Sequence, residues 1–182
     1  MGTPKALLDF HGETFLARLT RVLGSTCDHV TVVLGHHHEH LRPHVPNRAR
    51  VAVNPDPDRG QLSSLQTALI ELPPQVTGFA FIPVDCPAVA EATVAELERT
   101  FAARDPETMF VIPRKGDKRG HPVFATRAIA EELLALQPTD EARAIVHRYV
   151  PRTQYVDVTD SGIFADIDTP EAYRRLLEES RA

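Results

Sequence analysis

Cysteine is scarce in this chain. Its 182 residues hold two, Cys27 and Cys86, at a spacing that offers no disulfide framework. Basic charge is short as well: 20 Lys and Arg against 25 Asp and Glu leave a formal net charge of −5. That balance argues against broad, nonspecific nucleic-acid binding and leaves open only a local basic cleft. No apolar run approaches membrane-spanning length, and no leader-like segment stands before the first element, so the expectation is a cytoplasmic protein with no membrane partner. Linkers, repeats and low-complexity tracts are missing too, since the 15 prolines are scattered rather than clustered. What is present is ordinary for a globular chain, 42% apolar and 25% charged, with length for one well-cored domain over residues 1–182.

Apolar spacing then places the elements. Phe15, Leu16, Leu19, Val22 and Leu23 share one helical face, and Gly24 is a stop. "HVTVVLG" and "RVAVNP" read as buried strands, the second cut at Asn54-Pro55 because proline cannot continue a ladder. "QLSSLQTALIEL" is helical through Leu62, Leu65, Leu69 and Leu72. "GFAFIPVDCP" is a strand that delivers Asp85 to its carboxyl end, Ala88 to Ala103 an amphipathic helix, and "TMFVIP" the next strand. "GHPVFA" is a short extended piece, followed by helices through Leu136 and around Thr139 to Tyr149. "TQYVDV" and "FADI" supply late strand material, and "TPEAYRRLLEES" is a helix capped by Thr169 with Pro170 at its first position. Strand and helix alternate, which implies an α/β fold: three layers, α/β/α, around a mostly parallel sheet. Ligands of such sheets sit beyond the carboxyl ends of the strands.

Three carboxylates fall at those ends. Asp85 follows an apolar strand, and Asp166 and Asp168 sit in "FADIDTP" before the last helix. If the two segments converge, their oxygens suit Mg2+, which takes a few protein oxygens and completes its shell with water and phosphate. The competing explanation for each is a turn or capping residue. "GTPK" offers Gly2 and Lys5 to a polyphosphate, and "DRGQLSSL" offers Gly60, Ser63 and Ser64 at the start of a helix, where simple capping competes. The run "GHHHEH" puts His36 and His40 on one helical face, away from the carboxylates, and is expected to be a surface cluster.

Taken in order, "MGTPKALLDFHGETFLARL", "NPDPDRGQLSSLQTAL", "IPVDCPAV", "GHPVF" and "DIDTPEAY" resemble the molybdenum-cofactor nucleotidyltransferases, the MobA-like NTP transferases. The likeness covers nearly the whole length, and the last two pieces look more like its cytidylyltransferase branch. The resemblance implies a Rossmann-like fold of the nucleotide-diphospho-sugar transferase type and transfer of a nucleoside monophosphate from CTP or GTP to the terminal phosphate of a molybdopterin-type acceptor. It implies catalytic roles for Lys5 and Asp85, nucleotide contacts from Gly2, Lys5, Asn54, Gly60, Ser63 and Ser64, and Mg2+ held by Asp85 with Asp166 or Asp168. Acceptor contacts fall to Gly120, His121 and Pro122, within a basic loop carrying Arg114, Lys115, Lys118 and Arg119. Molybdoenzymes or cofactor-insertion proteins are the implied transient partners. The family pattern also has a strand and a Leu-Ala-x-Gly-x-Ser-x-Arg segment before its Met-Gly. Neither precedes Met1 here, so the expectation is that this form binds nucleotide poorly or not at all, while a form extended by that segment is active. Two alternatives stay open: a sugar-phosphate or isoprenoid-precursor nucleotidyltransferase, and a degenerate relative that only binds.

Overall fold

The structure, a computed structural model, describes residues 3–164 and 166–180. A small hairpin of β1 (Asp9–Phe10) and β2 (Glu13–Thr14) leads into α1 (Phe15–Leu23). The Thr14 hydroxyl accepts from the Ala17 amide at 3.1 Å and starts the helix, while the Gly24 amide closes on the Thr20 carbonyl and ends it. There follow β3 (Thr31–Leu34), α2 (His38–Leu41), β4 (Arg50–Val53), α3 (Gln61–Ile70), β5 (Gly78–Phe81) and α4 (Glu91–Ala102). The second half supplies β6 (Phe110–Lys115), β7 (Lys118–Arg119), β8 (Val123–Thr126), α5 (Arg127–Leu134), α6 (Ala142–Arg148), β9 (Thr153–Asp157) and α7 (Pro170–Glu179).

The three-layer arrangement is as expected, but the sheet is mixed rather than mostly parallel. β3 pairs with β4, and β6 with β9, in parallel. β8 lies antiparallel between β5 and β6. The reason is local: β6 and β7 close a tight hairpin, with Lys115 opposite Lys118 and Gly116 at φ 60° in the turn. The chain thus reverses at once, whereas a parallel return needs a crossover of a dozen residues or more. Of "FADI", Ala165 lies outside the described residues, and Phe164, Asp166 and Ile167 are in no strand. Residues Ser161–Phe164 form a 3-10 turn, in which Asp160 accepts from the Gly162 amide at 2.8 Å.

Two cores lie on opposite faces of the sheet. One joins α3, α5 and α6 to Phe110, Ile112, Val123 and Ala125; the other joins α1 and α4 to Val111, Phe124 and Val156. The sheet is interrupted. Among the described residues β3 pairs only with β4 and β5 only with β8, and between those two edges runs a groove of about 1280 Å3.

Candidate active site

The three carboxylates do meet. A backbone hydrogen bond from the Ile167 amide to the Asp85 carbonyl, 3.0 Å, stitches the loop after β5 to the segment before α7. Ile167 is buried among Phe10, Phe15 and Leu176, so alternation turns Asp166 and Asp168 outward on one side. Oxygens of Asp85, Asp166 and Asp168 all lie within 4.8 Å of one another. Lys5, in the short turn Lys5–Leu7, donates to Asp168 and stands 3.8 Å from Asp85.

The electrostatics fit a cation centre. Burial, then the charges of Asp85 and Asp168, hold the Asp166 carboxyl above its ordinary range. The hydrogen bond from Lys5 holds Asp168 below it. Burial pulls Lys5 down, but its hydrogen bond to Asp168 and the surrounding carboxylates outweigh that and raise it. Three crowded carboxylates with one lysine carry excess negative charge, and an all-oxygen donor set suits hard divalent ions such as Mg2+ or Mn2+. Burial, followed by the charge of Asp85, pushes the neighbouring Cys86 thiol up to about 12, so it is no thiolate nucleophile at neutral pH.

The second group assembles at the carboxyl end of β4. The Asn54 side-chain Nδ2 donates to Ser63 Oγ at 2.8 Å and Ser64 Oγ at 3.0 Å, and Asn54 Oδ1 accepts from the Asp56 backbone amide at 3.0 Å. Asn54 and Ser63 are buried and occupied with one another, so they hold the loop against α3. Ser64 and Gly60, the latter at φ 82°, face the groove, as do Asp85 and His121. Gly2 lies outside the described residues.

At the third group, Gly120 packs so closely that a Cβ there would stand 2.5 Å from the Ile163 carbonyl, and the His121 amide donates to that carbonyl at 2.9 Å. Pro122 is buried beside them. The His121 ring lies 6.1 Å from that of Phe81, and its Nδ1 is buried without a partner. Burial lowers its pKa, leaving a neutral ring near Asp85. The basic loop is more committed than its sequence indicates. Arg114 grips Asp157 through two hydrogen bonds of 2.8 and 2.9 Å, Lys115 donates to the Thr159 carbonyl at 2.7 Å, and Arg119 stacks 4.8 Å over Tyr155. The histidine run stays apart: His36 meets Asp58 at 3.0 Å, and His40 and His44 rings lie 6.0 Å apart.

Two supporting residues escaped the sequence reading. Arg18 donates to the carbonyls of Pro87 at 2.8 Å and Val89 at 3.3 Å, bracing the loop that carries Asp85. It borders the apolar face of α1 beside Val22, a position that carries no distinctive mark in the sequence. Asp160 accepts from the Ala90 amide and the Thr93 hydroxyl, both at 2.8 Å, capping α4 from 70 residues away. No local pattern announces that contact.

Comparison with known proteins shows the family and the fold. The family profile described as the MobA-like NTP transferase domain matches residues 1–153. Rv0371c from Mycobacterium tuberculosis H37Rv is 30% identical, with 98% of this chain and 90% of that chain covered at a TM-score of 0.84. A structure of Rv0371c in complex with manganese aligns at 29% identity over 96% of this chain and 91% of that one, TM-score 0.81. The molybdopterin-guanine dinucleotide biosynthesis protein A of Archaeoglobus fulgidus, at 16% identity, shares the fold over 99% of this chain and 92% of its own, TM-score 0.64. No curated protein matched significantly. With the profile spanning most of its length, the chain belongs to the MobA-like NTP transferase domain family, a family of nucleotidyltransferases.

Proposed function

We propose that residues 1–182 act as one domain that transfers CMP, in preference to GMP, from the nucleoside triphosphate to the terminal phosphate of a molybdopterin-type acceptor, releasing pyrophosphate. The observation that carries this reading is the meeting of Lys5 with Asp85, Asp166 and Asp168 beside the groove mouth where Ser64 and Gly60 lie. The preference for CTP rests on the "GHPVF" and "DIDTP" pieces. Asp85 with Asp166 and Asp168 would hold Mg2+, which supplies charge neutralisation for the phosphates and the departing pyrophosphate.

The chain's own residues do the rest. The acceptor phosphate is already an anion at neutral pH, so no general base is needed and catalysis reduces to positioning and charge. Lys5 brings one cation to the triphosphate, with Gly2 beside it in sequence. Gly60 and Ser64 receive the nucleoside end, and buried Asn54 and Ser63 keep that loop in place. Neutral His121, with Gly120 and Pro122, borders the acceptor side. The activity belongs in the cytoplasm, with transient hand-over to molybdoenzymes or cofactor-insertion proteins and no role for nucleic acid or membrane.

Pyrophosphate release from CTP and GTP tests the reading, with Mg2+ or Mn2+ and with a phosphorylated pterin or a sugar phosphate as acceptor. The expected result is metal-dependent release with the pterin, weak in keeping with the poor nucleotide binding expected of this form but greater for CTP than for GTP, and its loss in Asp85→Asn. Release with the sugar phosphate alone assigns a different acceptor. Equal release by Asp85→Asn removes that carboxylate from the site.

A further inference from the structure

We propose that Arg18 is a positioning residue for the cation centre, the strut that sets Asp85 against Lys5: its guanidinium grips the loop behind Asp85 and stacks on the hairpin behind Lys5. The inference rests on the reading of Asp85, Asp166 and Asp168 as that centre. It starts from two carbonyls. Between β5 and α4, residues 82–90 lie in no helix or strand, so their backbone groups have no ladder to enter. Pro87 and Val89 are buried there. Among the described residues Arg18 alone donates to their carbonyls, Nε to Pro87 at 2.8 Å and a terminal guanidinium nitrogen to Val89 at 3.3 Å. A buried carbonyl left without a donor is costly, so the loop takes the curvature that brings both oxygens to one set of donors. Acceptors on alternate residues suit a rigid guanidinium fork; a lysine ammonium fills one and leaves the other.

Asp85 sits just ahead of this grip. The Cys86 amide donates to the Pro83 carbonyl at 3.2 Å, and the Asp85 carbonyl accepts from the Ile167 amide at 3.0 Å. With Pro87 held by Arg18, the backbone is tied on either side of Asp85, which keeps its carboxylate within reach of Asp166 and Asp168. Asp160 fixes the far end of the same loop at the Ala90 amide, where α4 starts, and leaves the Asp85 end to Arg18.

The other arm reaches the lysine. The Arg18 guanidinium lies 5.0 Å over the Phe10 ring. Phe10, in β1, follows the turn Lys5–Leu7, and the Leu8 amide bonds back to the Lys5 carbonyl at 3.0 Å. Phe10 also packs with Phe15 and with Ile167, the residue between Asp166 and Asp168. One side chain thus touches the supports of Lys5 and of Asp85, whose charged atoms stand 3.8 Å apart. Its base is firm, because α1 is capped by Thr14 and buries Leu19 and Val22.

Mn2+ titration by electron paramagnetic resonance and amide exchange by NMR, both on the full chain, test the assignment. Arg18→Met removes both donors and keeps most of the stem; Arg18→Lys keeps the charge and one donor. Arg18→Met should weaken Mn2+ binding about tenfold, and Arg18→Lys by less. Leu133→Ala, in the core on the other face of the sheet, lowers stability without touching either arm and should bind Mn2+ as the wild type does. The Ile167 amide should exchange about tenfold faster in Arg18→Met when scaled to the Thr126 amide, which bonds the Met109 carbonyl at the same 3.0 Å. Wild-type affinity in Arg18→Met overturns the assignment. An equal loss in Leu133→Ala does the same, since it reduces the effect to stability. Should Arg18→Met fold poorly, Arg18→Lys carries both measurements, and wild-type values in it are the contrary result. A wild-type chain that binds no Mn2+ ends the cation-centre reading instead. Ile167 exchange then decides the hold on Asp85, upheld if faster in Arg18→Met and overturned if unchanged.

Discussion

The two halves of the sheet are built from similar residues and end in different states. Strands β6 and β8 carry Val111, Ile112, Val123 and Phe124, all buried. Strands β3 and β5 carry Val32, Val33, Phe79 and Phe81, none of them fully buried. Composition does not separate the halves; neighbours do. Among the described residues β6 has partners on both edges, whereas β3 and β5 each have one. Stability is therefore lodged in the β6–β8–β9 half, while the candidate site straddles the boundary. Asp85 follows β5 on the open side, and Asp166 and Asp168 are fixed by Ile167 beneath α7.

Paired truncations sharpen this contrast most. Phe110→Ala, at a ring only 1% exposed, should cost about 3–5 kcal/mol in urea unfolding, because a cavity opens in packed surroundings. Phe79→Ala, on the open half, should cost less than about 1.5 kcal/mol, since part of that ring already meets water. Equal costs would break the comparison. Next in size is Asp160→Ala, which removes the acceptor for the Ala90 and Gly162 amides and the Thr93 hydroxyl, and should cost about 1–2 kcal/mol.

His121 offers a smaller effect with a defined sign. Burial depresses its pKa in the folded state, so the unfolded chain binds the proton more readily. Its contribution is present above the unfolded value of about 6.5 and is lost as pH falls below it. The difference in stability between the wild type and His121→Gln should therefore change between neutral pH and about pH 5 in the direction of a less stable wild type. A pH-independent difference contradicts the buried neutral ring. At the small end, Arg174→Ala removes only an exposed pair with Glu171, and the urea midpoint should not move measurably.

Much of this architecture is legible residue by residue. Thr14 and Gly24 bracket α1, and Thr169 and Pro170 start α7, because caps act over a few residues and leave local marks. Asp85 was legible as a residue that follows a strand and Asp166 and Asp168 as residues before the last helix, though the Ile167–Asp85 bond that unites them is long-range. The antiparallel course of β8 depended on how tightly the β6–β7 hairpin closes. "FADI" reads as strand material from its apolar residues, but Phe164 instead closes the turn Ser161–Phe164. The turn Ser161–Phe164 holds Gly162 pressed against Ala88, where an added Cβ would stand 2.3 Å from the carbonyl. The basic loop resembled an anion receptor until Asp157, Thr159 and Tyr155 proved to engage it.

Titration of the protein with Mn2+, followed by the loss of the free-ion electron paramagnetic resonance signal, tests the centre of this account. One ion should bind to the native chain, and Asp85→Asn should weaken it at least about tenfold while the urea midpoint stays unchanged. Equal affinity in the two proteins, or no binding to either, would contradict a metal centre formed by Asp85, Asp166 and Asp168.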